Sequence, residues 1–208
     1  MLQLQKRILQ LAWPIMLSNI TVPLLGLVDT AVLGHLDEVS YLGAVALGSQ
    51  VVTLMLWSFG FLRMGTTSLS AHAMGVSSSG EPSGTERILQ NALLMAVFIS
   101  LPLMVFAFLS LENIIALIGG SPVVQELAVE YANIRLIATP AVLIQYVLIG
   151  WFIGRGETKV PLLLLIISNS INALLDVILV YGYGLTSDGV AWATLCADYT
   201  AASLGLIW

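Results

Sequence analysis

Charge is what this chain has least of. Only 9% of its 208 residues are Asp, Glu, Lys or Arg, against about 25% in an ordinary soluble domain. Seven basic residues face twelve acidic ones for a net charge of −5. A phosphate backbone demands clustered Lys and Arg, so nucleic acid is excluded as a partner. The single cysteine, Cys196, leaves no intrachain disulfide to make, and its apolar surroundings point to a small core residue. No G-x-x-x-x-G-K-[ST] stretch occurs, which excludes a phosphate-cradling loop and ATP hydrolysis within the chain. The two histidines, His35 and His72, sit at span ends rather than in a His/Cys cluster, and no Ser/His pairing stands out. The chain reads as a non-enzyme without a bound cofactor.

What is present is apolar length. Hydrophobic residues make up 58% of the chain, and a helix needs about 20 of them to cross a bilayer. Six runs qualify: Ile8–Leu33, Leu42–Ala73, Ile88–Leu111, Val123–Ile153, Val160–Tyr183 and Gly189–Trp208. The first is not a cleaved signal, because Pro14 and Asn19 interrupt it early and apolar character outlasts the 7–15 residues of a signal core. Between the runs lie GHLDEVS, GVSSSGEPSGTER, GGSP, GRGETK and GYGLTSD. All are rich in turn residues. The expected fold class is an all-α integral membrane protein of six transmembrane helices, with membrane lipid as its solvent.

The basic residues orient it. Lys6, Arg7, Arg87, Arg155 and Lys159 flank alternate connections, whereas Asp37, Glu38, Glu112 and Asp188 mark the opposite ones. The positive-inside rule then places the N-terminus and the 75–87 and 154–159 loops in the cytoplasm, as in a bacterial inner membrane. The last run ends at Trp208 without a polar exit, which points to a fragment. Many transporters repeat a helical bundle, so residues 1–208 are expected to be one lobe whose partner is missing.

Two carboxylates break the apolar pattern: Asp29 in LLGLVDTAVLG and Asp176 in NALLDVILV. An ionised group in hydrocarbon costs a few kcal/mol or more, so it marks an ion or proton path by default. Asn169, Asn172 and Asp176 follow i, i+3, i+7 spacing and share one helix stripe. Thr194 and Asp198 form an i, i+4 pair in the last run. Oxygens from Asp29, Asn172, Asp176 and Thr194 would make a small cage suited to a hard cation such as sodium. Alternatively, the two carboxylates share one proton. Asp198 suits the cage, the cavity wall or the cytoplasmic exit equally well. Tyr131, Arg135 and Gln145 are the polar points of the fourth run, and Arg135 is expected to pair with Glu130 or Glu126. Arg63 is expected to snorkel to the cytoplasmic headgroups. Pro14 removes a backbone hydrogen bond and should bend or break the first helix.

With those residues in view, the chain resembles the N-terminal half of a multidrug and toxic compound extrusion (MATE) transporter, in its DinF-like branch. The most specific segments are WPIMLSNITVPLLGLVDTAVLGHL, GRGETKVP and NALLDVILVYGYGLTSDGVAWAT. The resemblance implies two six-helix lobes around a cavity that alternates between membrane faces. It also implies export of amphipathic cationic compounds in exchange for sodium or protons. Asp29, Asn172, Asp176 and Thr194 match the family's coupling site, Tyr131 a tyrosine of the same network, and Pro14 the proline where the first helix bends. The chain departs at Gln145 and Tyr146, where relatives carry an asparagine, and at Glu157, where an aspartate is usual. Two other functions fit the composition: a non-transporting fragment that binds a partner lobe, and a lipid-linked sugar flippase. The flippase calls for a more basic cavity than Arg63 and Arg135 provide. An intramembrane aspartyl protease is disfavoured, since Val28 and Leu175 precede the two aspartates where that chemistry uses Tyr-Asp and Gly-x-Gly-Asp.

Overall fold

The computed structural model describes residues 2–36, 38–77 and 84–208; Asp37 and residues 78–83 of the long polar loop lie outside it. Among the described residues the secondary structure is helical throughout: α1 (Leu2–Leu33), α2 (Val39–Trp57), α3 (Phe61–Ser77), α4 (Thr85–Ile118), α5 (Pro122–Ile137), α6 (Thr139–Gly154), α7 (Lys159–Val177) with a π-helical turn (Ile178–Gly182), and α8 (Ser187–Ile207). α4, α7 with its π turn, α8 and the joined pair α2–α3 are each long and apolar enough to cross a membrane. α5 and α6 qualify together as one span bent by 52°. The 32 residues of α1 add a helix of about 48 Å at 1.5 Å per residue.

Two expected spans are therefore broken. The second divides at residues 58–60, where Ser58, Phe59 and Gly60 form a turn between α2 and α3. The fourth divides at Ala138, because Pro140 in the first turn of α6 has no amide to continue the ladder. Carbonyls freed at such a break need donors, since lipid supplies none. Thr139 Oγ1 donates to Leu136 O at 2.6 Å, and Tyr199 Oη on α8 donates to Ile137 O at 3.0 Å.

The broken spans pack side by side, α2 against α5 and α3 against α6. Gly150 and Gly154 let α6 approach α3 closely. A Cβ on Gly150 would lie 2.5 Å from Arg63 O, and one on Gly154 would lie 2.6 Å from Thr67 O. This is the small-xxx-small spacing that membrane helices use to bring backbones together. α7 packs between α1 and α8, and α8 also meets α5 and α6. The main core joins Leu33, Val51, Leu111, Ile115, Leu136 and Val190. Elsewhere the surface is apolar, with Leu94, Phe98, Leu101, Phe106 and Leu109 exposed along α4.

Candidate functional site

α1 and α7 bring the two isolated carboxylates together. Asp29 stands about one turn before the end of α1, and Asp176 is buried at the end of α7 where the π turn begins. Their carboxyl groups lie within hydrogen-bonding reach of each other. One oxygen of each, Oδ1, is buried and meets no donor. Ionised carboxylates only accept hydrogen bonds, so a close pair requires a proton or cation between its members.

Asn172 lies one turn before Asp176 and is buried with it. Its amide satisfies both sides when Nδ2 faces Asp176. Nδ2 then donates to Asp176 Oδ2 at 3.1 Å, and Oδ1 accepts from Thr194 N at 3.2 Å and Thr194 Oγ1 at 3.0 Å. The single proton of the Thr194 hydroxyl has Val190 O, at 2.9 Å, as its alternative acceptor. Asp29, Asp176, Asn172 and Thr194 thus form one contiguous polar patch across α1, α7 and α8. Asn169 is half-buried a turn earlier on the same stripe of α7.

The π turn adds a link that spacing did not show. Tyr181 Oη donates to Val32 O at 2.9 Å, fastening the end of α1 beside Asp29. π segments recur at functional sites because they shift side chains out of helical register.

Several expectations need correction. Arg135 does not pair with Glu130 or Glu126. Its Nη1 donates to Asp198 Oδ2 at 2.8 Å. Asp198 is thereby committed, and Gln145 Nε2 donates to its backbone oxygen at 3.0 Å and Oδ1 at 3.4 Å. Tyr131 is buried on α5, one turn before Arg135. Arg63 is exposed in the first turn of α3, about 21 Å of helix from the end of that element, beside Trp57, Gly60 and Tyr146. Cys196 is exposed rather than in the core, on a stripe of α8 that also shows Trp192 and Tyr199. α1 runs unbroken through Pro14, which is buried. Pro14 O accepts from Ser18 Oγ at 2.9 Å.

His35 and His72 are exposed. Glu157 pairs with Arg155 at 2.9 Å. Gly150 and Gly154 were missed, although four-residue spacing of glycines in an apolar helix was available as a signal.

The MatE family model matches residues 14–178. DNA damage-inducible protein F of Escherichia coli is 40% identical over 202 residues, which is 97% of this chain and 43% of that protein. The probable multidrug resistance protein NorM of Thermotoga maritima is 28% identical over 97% of this chain and 44% of its own length. Among solved structures, a MOP-superfamily transporter from Pyrococcus furiosus superposes with a TM-score of 0.87 at 23% identity, covering 98% of this chain and 44% of that one. The chain spans somewhat under half the length of the curated relatives it matches.

Proposed function

The chain belongs to the MatE family, and on that premise we propose that residues 1–208 act as the N-terminal lobe of a cation-coupled antiporter exporting amphipathic cationic compounds. The observation that carries this reading is the Asp29–Asp176 pair, set in an apolar bundle with one buried oxygen of each lacking a donor. Asn172 and Thr194 complete an oxygen-rich patch fit for a proton or a sodium ion. A second six-helix lobe would close the transport cavity.

The cycle follows from charge. Uptake of the cation from outside lets the two carboxylates stay close. Its loss to the cytoplasm leaves like charges in low dielectric, which favours their separation. Asp29 rides on α1 and Asp176 on α7, so separation changes the packing of α1 against α7. Pro14 gives α1 a place to bend. An ion shifts such an equilibrium only through its differential affinity for the two states. An inner-membrane setting with a cytoplasmic N-terminus matches the basic loops.

The test is efflux of ethidium from cells expressing the chain joined to a second MATE lobe, with sodium and pH varied separately. Asp29→Asn and Asp176→Asn should each abolish cation-driven efflux, and the ion that restores the gradient identifies the coupling cation. Normal efflux by both variants would overturn the coupling site. Efflux of lipid-linked sugar in place of dye would favour the flippase.

A further inference from the structure

A cavity of about 590 Å³ opens between α1 and the connection from α6 to α7. It lies at the start of α7, about 25 Å of helix before Asp176, and so is separate from the carboxylate pair. Gln10, Leu11 and Trp13 of α1 form one wall, and Glu157, Thr158 and Lys159 form the other. The walls approach each other at Gly156, where a Cβ would lie 3.9 Å from Leu11 Cδ2. The volume falls in the range of small-molecule sites, about 300–1,000 Å³.

The cavity stands at a membrane boundary. α7 with its π turn is a span that begins at Lys159, so hydrocarbon gives way to headgroups at this level. Trp13 is exposed beside the cavity, and tryptophan gathers at that boundary. Inside the wall, Thr158 is only 5% exposed. Its side chain does not cap α7, and its hydroxyl has no partner among the described residues. A buried polar group left unpaired is costly, so a hydroxyl lining a cavity in this state is set for a ligand.

The charges around it select the ligand. The first turn of α7 holds no acidic residue and opens with a lysine, the reverse of what the helix dipole favours. An N-terminus with free amides and no acid of its own suits an anion. Glu157, the acid in the wall, is held by Arg155 at 2.9 Å. Arg155 also stacks on Trp151, with 4.2 Å between guanidinium and ring centre. That pair cancels, and Lys159 keeps an exposed cation with no carboxylate partner among the described residues. Lys6, also exposed, lies on the stripe of α1 that carries Gln10 and Trp13.

We propose that this cavity binds the phosphate of an anionic phospholipid, with the Thr158 hydroxyl as donor and Lys159 as counter-charge. The start of α7 supplies further amide donors. Leu11 and Trp13 give the glycerol and the upper acyl chain an apolar edge, which a free phosphate could not use. The bound lipid ties α1 to the start of α7 at the residue before Pro14. The site stands apart from the ion-coupling reading and does not depend on it.

The test is native mass spectrometry of the 208-residue chain released from nanodiscs that mix phosphatidylglycerol and phosphatidylcholine. The parent should keep a phosphatidylglycerol after the phosphatidylcholine has been shed. Thr158→Val keeps the side chain's shape and should lower that retention about tenfold, as for loss of a hydrogen bond to a charged group. Lys159→Gln should lower it about fivefold. Arg87→Gln removes a cation from a neighbouring loop outside the cavity and should change nothing. Equal retention of the two lipids, or parent-like retention by both cavity variants, overturns the proposal. An equal loss in Arg87→Gln and Lys159→Gln also overturns it, because the attraction would then belong to the whole basic face. Inorganic phosphate added to the lipid-free chain in detergent should not be retained; its retention, lost in Thr158→Val, would assign the cavity to free phosphate and overturn the lipid. Should Thr158→Val fail to fold, Lys159→Gln against Arg87→Gln decides, and equal retention by those two overturns the site.

Discussion

Asn172 shows how one side chain decides what the carboxylate pair can do. Its amide is shared between Asp176 and Thr194, so Asp176 receives one donor while its other oxygen stays unpaired. A leucine there would leave Asp176 without that donor, and an aspartate would add a third acceptor. The milder probe is Thr194→Val, which keeps shape and removes the hydroxyl that meets Asn172. A neutral buried hydrogen bond contributes about 1 kcal/mol. Cation affinity should fall roughly fivefold, with folding retained, as titration of the protonated-carboxyl infrared signal would register. An unchanged affinity would place Thr194 outside the site.

The elements set how closely those side chains are held. α6 meets α3 through Gly150 and Gly154 with no room for a Cβ, the nearest atoms at Gly154 being Thr67 O and the Ser70 side chain. Gly154→Val should therefore overpack that contact and cost about 1–3 kcal/mol, seen as a lower unfolding midpoint in detergent. The same change at Gly65, where nothing lies within 4 Å, should be nearly neutral. Legibility also divides at this scale. Asp29, Asn172 and Asp176 stand out in sequence because a carboxylate or an amide in an apolar run is costly unless partnered, whereas Thr194 by itself reads as a hydroxyl bonding the carbonyl four residues back. The breaks at residues 58–60 and 138 do not, since the runs stay apolar through them and only Gly60 and Pro140 hint at a turn. Arg135 was misassigned for a geometric reason. Glu130 and Glu126, five and nine residues away, sit about 140° and 180° around the helix from it at 3.6 residues per turn. Its real partner is 63 residues distant, beyond any local pattern.

At the scale of the molecule, successive spans that alternate in direction would sort the loops onto two faces of the membrane, as the basic residues propose. Ser121, at the start of α5, and Glu157, between α6 and α7, are at opposite ends of one broken span. With Cys196 replaced by serine, Ser121→Cys should react with a membrane-impermeant maleimide added to intact cells. Glu157→Cys should react only after the membrane is opened. The reverse pattern would invert the proposed orientation. The long-range ion pair also bears on the order of synthesis. A nascent chain enters the membrane N-terminus first, so Arg135 arrives before the helix that carries Asp198 has been made. An unpaired arginine near the middle of a span raises the free energy of insertion by about 2.5–3.5 kcal/mol. The bent fourth span would therefore gain the counter-charge of Arg135 only once α8 has emerged.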